Sequence, residues 1–142
     1  VEEANRQTLK FFPQDYDQRH ALSAQGTLIF EGLMANLLFQ YSSGLPYTKG
    51  IRGATEPYEI NNMRLPDQWT LDLKLNYKIE IGNIALIPYL EIYNLTNREN
   101  IVYVDPFTGE PDFIEGRTEE WADNPLNYGS PRIIYLGLDF NL

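Results

Sequence analysis

The chain has 142 residues, 43% of them hydrophobic and 13% aromatic, no cysteine, and a formal net charge of −9. These values exclude a disulfide scaffold and a thiolate metal site, and the lack of a basic stripe argues against nucleic acid and against a basic helix lying on a membrane surface. No apolar run approaches the roughly 20 residues that a spanning helix needs, and no basic segment leads into an apolar stretch as in a signal peptide.

Residues 1–19 read as a loop or the end of a preceding strand; starting at Val1, the chain reads as a processed product or a piece of something longer. From His20 to Phe30 the residues Leu22, Ala24, Gly26, Leu28 and Phe30 alternate with Ser23, Gln25 and Thr27. Alternate side chains of a strand point to opposite faces, so this period of two predicts a strand with one apolar side. Glu31-Gly32 makes a tight turn. Leu33, Ala35, Leu37, Phe39 and Tyr41 then oppose Asn36, Gln40 and Ser42 on a second strand. After a loop at 46–68, the third strand sets Trp69, Leu71, Leu73, Leu75, Tyr77, Ile79 and Ile81 against Thr70, Asp72, Lys74, Asn76, Lys78 and Glu80. Gly82-Asn83 turns into a fourth strand, Ile84 to Tyr93, whose Pro88 is awkward because proline cannot donate to a ladder. A long stretch, 94–131, precedes the fifth strand, about Arg132 to Leu142, where Ile134, Leu136, Leu138, Phe140 and Leu142 share one face.

Soluble chains seldom finish on a flush apolar strand, whereas a transmembrane barrel closes on one and faces lipid with it. The connections also alternate, with two-residue turns at one end of the strands and long loops at the other. Outer-membrane barrels show that asymmetry, short turns in the periplasm and long loops outside. The strands run to about 10 residues, the length that crosses the hydrocarbon layer when tilted. A mean hydropathy of −0.38 fits, since only half of each strand faces lipid. Tyr41, Tyr47 and Trp69 lie toward the loop end and Phe30 toward the other, as interface aromatics do. The inward Asp72, Lys74, Lys78 and Glu80 read as cross-strand ion pairs on a wet wall. The expected fold is therefore all-β: five antiparallel up-and-down transmembrane barrel strands over 20–142, with external loops at 46–68 and 94–131. Five strands cannot close a barrel, because about eight are needed to enclose a filled interior.

Candidate chemistry is sparse. His20 has Asp15, Asp17 and Arg19 nearby but no second histidine, and serines 23, 42, 43 and 130 lack a nucleophile-elbow context. Asp105, Glu110 and Asp112 around Pro106 and Gly109 are candidate Ca²⁺ oxygens without EF-hand spacing; the plainer reading is a proline-started turn. Adjacent Glu119 and Glu120 do not form a glycosidase pair, and Asn94-Leu95-Thr96 is a coincidental sequon. No enzyme and no cofactor are expected. Aromatics in the long loops, Tyr58, Tyr103, Phe107, Phe113, Trp121 and Tyr128, are candidate contacts to a small ligand or to one another.

Several local motifs resemble the C-terminal part of TonB-dependent outer-membrane receptors: Asp17-Gln18-Arg19-His20, Tyr41-Ser42-Ser43-Gly44-Leu45-Pro46-Tyr47-Thr48, Arg64-Leu65-Pro66-Asp67-Gln68-Trp69-Thr70-Leu71-Asp72-Leu73, Glu91-Ile92-Tyr93-Asn94-Leu95-Thr96-Asn97-Arg98 and Pro131-Arg132. The resemblance implies the last five strands of a plugged, 22-stranded barrel in the outer membrane of a bacterium. It implies as partners lipid, the remaining strands, a plug domain, the TonB protein acting through that plug, and a scarce solute such as a siderophore, cobalamin, glycan or peptide. The plug and its TonB-contacting box have no counterpart in this sequence, and it ends on Leu142 where assembly signals usually end on an aromatic residue. The rival expectations are a soluble β-sandwich carbohydrate-binding module, with the same leucines packed into a core, and a β-rich hydrolase using the loop acids.

Overall fold

The computed structural model describes residues 12–50, 59–112 and 124–141. Its elements are β1 (Ala21–Phe30), β2 (Leu33–Ser42), β3 (Pro46–Tyr47), β4 (Met63–Arg64), β5 (Gln68–Tyr77), β6 (Ile79–Ile81), β7 (Ile84–Tyr93), a 3-10 turn at Pro125–Asn127, and β8 (Ile133–Asn141). All pairings between strands are antiparallel, and no α-helix occurs among the described residues.

The sheet is a meander in which each long strand pairs with the next: β1 with β2, β2 with β5, β5 and β6 with β7, β7 with β8. Both hairpin turns follow from their residues. Glu31 and Gly32 have φ of 43° and 88°, the double left-handed geometry whose twist matches a two-residue hairpin. Gly82 alone is positive, at 61°, so here glycine fills the first turn position. The two turns lie at one end of the sheet and the long connections at the other.

Two expectations need correction. The 69–81 run is broken at Lys78 into β5 and β6. Pairing with β7 stops at Asn76↔Tyr89 and resumes at Ile79↔Leu86, and the gap lies opposite Ile87 and Pro88. Pro88 stays in register with Leu138 of β8, so its missing N–H is absorbed on the β5–β6 side, where Lys78 N donates instead to Gly32 O at 2.8 Å. The 46–68 segment is also more than a loop, because β3 and β4 form a short hairpin within it.

Register keeps the alternation in phase across all five ribbons. Leu28, Ala35, Leu75, Leu90 and Leu136 form one row, and Gly26, Leu37, Leu73, Ile92 and Ile134 the next. Phe39, Tyr41 and Trp69 flank these aliphatic rows toward the loop end, and Phe30, Tyr77 and Phe140 toward the turn end. No charged residue sits on this face. It is also uncovered: Leu28 is 64% exposed, Leu136 80% and Phe140 67%. Among the described residues the buried apolar side chains are Pro46, Leu65 and Val104, all in the long connections, and the buried polar ones (Ser43, Asn61, Asn94, Asn100 and Asn127) lie there as well. The described chain therefore buries a polar loop layer and leaves its greasiest surface open.

Two glycines mark close approaches. A Cβ on Gly137 would meet the ring of its cross-strand partner Tyr89 at 2.2 Å, so the tyrosine covers the backbone that the glycine leaves bare. A Cβ on Gly44 would lie 1.7 Å from the Leu65 carbonyl oxygen, a backbone atom that cannot move aside cheaply. We expect Gly44→Ala to lower the denaturant midpoint by the equivalent of about 1–3 kcal/mol. Gly26→Ala, whose Cβ would meet nothing within 4 Å, should stay within about 0.5 kcal/mol of the parent. Equal losses at the two positions would contradict the packing described.

Candidate functional site

At the long-loop end the strands finish unevenly, and side chains complete their ladders. Beyond β1, Ser43 N donates to His20 O at 2.8 Å and His20 N to Ser43 Oγ at 3.0 Å. His20 thus extends a ladder through its backbone. β5 overruns β7, and its bare edge is met by three substitutes: Leu95 N to Leu71 O, Asn94 N to Asp72 Oδ1, and the Asn100 amide, which accepts from Trp69 N and donates to Trp69 O at 3.0 Å each. A primary amide matches the donor–acceptor pair that a strand residue would supply.

Asn94 is the hinge of this arrangement. It is 2% exposed and holds φ at 51°, a left-handed conformation that asparagine tolerates. Its amide donates to Arg98 O and Ser130 O and its carbonyl accepts from Arg98 N, which ties both ends of the 94–131 connection together. Asn97 Oδ1 accepts from Arg132 N as β8 begins. The Arg98 guanidinium lies 5.0 Å from the Trp69 ring centre and donates to Asn100 Oδ1 and Asp67 O. Asp67 in turn accepts from the Tyr41 hydroxyl at 2.7 Å. Arg64 bonds the Asp17 carboxylate and also reaches Asp17 O and Gly44 O. Every short motif singled out in the sequence contributes to this base under the loops.

The face opposite the apolar one is polar and carries the recesses. A cleft of about 540 Å³ opens at the loop end, between β1, β2 and β5, lined by Gln18, Ser23, Gln40, Ser42, Gln68, Thr70 and Asn100 and by Ala21, Leu22, Tyr41 and Trp69, the last three from a row of the apolar face. A second, of about 380 Å³, lies nearer mid-sheet against Asp72, Lys74, Glu91 and Tyr93. The expected ion pairs are rearranged there. Lys74 pairs with Glu91, its cross-strand partner on β7, and lies 5.6 Å from the Tyr89 ring. Lys78 pairs with Glu80 along its own ribbon at 2.6 Å, and Asp72 serves Asn94. Thr27 donates to Asn36 at 2.7 Å in the same row as Lys74 and Glu91.

Of the loop aromatics, Tyr58, Phe113 and Trp121 lie outside the described residues, as do Glu119, Glu120 and Leu142. Tyr128 bonds Asp112, and its backbone bridges Ile101. Tyr103 and Phe107 are exposed at 55% and 41% and do not reach the polar cleft. Tyr47 sits in the loop hairpin with its hydroxyl against Gly109 rather than on the apolar face. The Asp105 carboxylate is taken up by Phe107 N and Thr108 N, forming the turn, and no group of three His, Asp or Glu able to hold a metal ion occurs among the described residues. On β8, Ile134, Leu136, Leu138 and Phe140 lie on one face, in register with Ile92, Leu90, Pro88 and Leu86 of β7. The cleft residues Ser23, Gln40 and Thr70 were not singled out in the sequence, although counting back from Glu31-Gly32 already sets Ser23 beside Gln40.

Asn94→Gly, which keeps the left-handed backbone but removes three hydrogen bonds, should cost about 1–3 kcal/mol, and Asn94→Ala more, because it adds backbone strain. Amide exchange at Arg98 should quicken in both variants, and unchanged protection would contradict the tie described. A double-mutant cycle on Lys74 and Glu91 should give a small coupling that shrinks as salt is raised, as for other solvent-reached pairs.

Compared with protein-family profiles, with curated proteins and with solved structures, the chain matches none.

Proposed function

We propose that this chain is a wall segment of a bacterial outer-membrane β-barrel, the C-terminal part of a TonB-dependent receptor that binds and imports a scarce solute. One observation carries the reading: an unbroken, charge-free apolar face runs over five antiparallel strands, and nothing among the described residues lies against it. A sandwich would need a second sheet there, and the only other sheet described is the two-residue β3–β4 hairpin in the loop layer. Lipid requires neither a second layer nor any polar group on that side.

Dimensions support the same reading. From Trp69 to Tyr77 the apolar face of β5 extends roughly 27 Å along the strand, which a tilt of about 35–45° reduces to close to 20 Å of membrane depth. Aromatics at both limits with aliphatic rows between them suit the two interfaces of a bilayer. Free edges on β1 and β8 support the need for further strands, since an open edge in lipid leaves backbone groups unpaired at several kcal/mol each. Five alternating strands leave β1 and β8 running in the same direction. Copies of this segment in a ring would therefore meet in parallel, whereas antiparallel closure takes an odd number of other strands, as a 22-stranded barrel supplies. In this reading the polar face looks into the lumen toward a plug, and the tied loops stand outside the cell. The protein acts by binding and translocation, with energy reaching it through the plug from TonB.

Leu136→Arg, at mid-height on the apolar face, should weaken insertion into lipid by about 2–4 kcal/mol, whereas Thr27→Arg, on the polar face, should insert normally. The measurement is the fraction of the complete barrel carrying this segment that shows heat-shifted gel migration in lipid vesicles. Equal insertion of both variants, or a monodisperse parent chain without detergent, would sink the proposal.

A further inference from the structure

The two recesses on the polar face differ in chemistry, and the difference speaks to what the upper one holds. The mid-sheet cleft is walled by Asp72, Lys74 and Glu91, charges already engaged within the sheet. The cleft of about 540 Å³ at the loop end has no charged side chain in its lining. Its floor is set by register: Ser23, Gln40 and Thr70 stand side by side on β1, β2 and β5, and Ser42 and Gln68 form the next row above them. Neighbouring strands lie about 5 Å apart, so the floor presents hydroxyl, amide and hydroxyl in a line about 10 Å long, roughly two linked sugar rings. Gln68 gives its amide N–H to Ile101 O, and the Asn100 amide is taken up by Trp69. Ser23, Gln40, Ser42 and Thr70 also face the cleft, each able to give and to take a hydrogen bond.

We propose that this cleft is a binding site for a neutral, hydroxyl-rich ligand, an oligosaccharide; the inference rests on the receptor reading and names the solute class for it. A hydroxyl group both donates and accepts, and serine, threonine and glutamine answer it without desolvating a charge. An anionic ferric chelate finds no arginine or lysine in the lining, and a chain at −9 repels it further. A peptide is usually taken along a sheet edge or in an apolar groove, whereas this recess lies over the face of three paired strands.

The test uses the complete barrel that carries this segment, folded in detergent micelles, with folding followed by heat-shifted migration and binding by calorimetry. The probes are a panel of neutral oligosaccharides including maltoheptaose, ferric citrate as the anion, and N-acetylated, C-amidated tetra-alanine as the peptide. At least one saccharide should bind more tightly than either other probe. Gln40→Ala and Thr70→Val, separately, should each weaken that saccharide by about tenfold, the equivalent of one lost hydrogen bond, while Lys74→Ala in the neighbouring cleft changes it by less than twofold. Tighter binding of ferric citrate or the peptide, no saccharide bound by folded chain, or unaltered affinity in both cleft variants overturns the inference and leaves the receptor reading standing. A complete barrel that shows no heat-shifted migration in micelles counts against the receptor reading itself, and the inference falls with it.

Discussion

Everything in this structure depends on five ribbons holding their alternation in phase. A slip of one residue at any junction would turn one strand's leucines to the polar side and its charges to the apolar side. Backbone pairing forbids the slip. Leu37, Leu73, Ile92 and Ile134 stand in one row because four antiparallel ladders place them there. The outcome is a wall with two chemistries, one side without charge and the other carrying the ion pairs and the clefts.

Polar burial follows from the same geometry. Strands of a tilted wall end at different heights, and each uneven end leaves backbone groups without a neighbouring strand. Asn100 and Asn94 fill those gaps with side-chain amides, and Asp72 with a carboxylate. Because bare backbone groups away from water are costly, the loop bases are dense in asparagine and tightly tied. Leu65 and Val104 add a small apolar filling. Tying the loops at their bases leaves their outer parts free to differ, as recognition loops on a rigid scaffold do.

The wall also separates two kinds of polar surface. Mid-sheet, Lys74 and Glu91 neutralise each other across neighbouring strands, an arrangement that contributes little energy. Toward the loops the lining turns to amides and hydroxyls.

By itself the sequence determined the strands, the two hairpin turns and the faces, because period-two alternation and left-handed turn residues are local properties of the chain. It reached some contacts as well. A two-residue turn leaves one register, so counting out from Gly82-Asn83 sets Lys74 opposite Glu91, and counting from Glu31-Gly32 sets Ser23 beside Gln40. It also marked Pro88 as the irregular point of its strand, though not that the ladder would open toward Lys78. Only the tertiary structure decided the pairing of β2 with β5 and of β7 with β8, since the connections at 43–67 and 94–132 are too long to transmit a register. For the same reason the third member of the cleft's row, Thr70, and the cover of Gly137 by Tyr89 were not legible beforehand. The loop base could not be foreseen either: Asn94, Arg98, Asn100 and Asp67 meet through hydrogen bonds between segments far apart in the chain, and no spacing in a sequence records which amide will complete which strand.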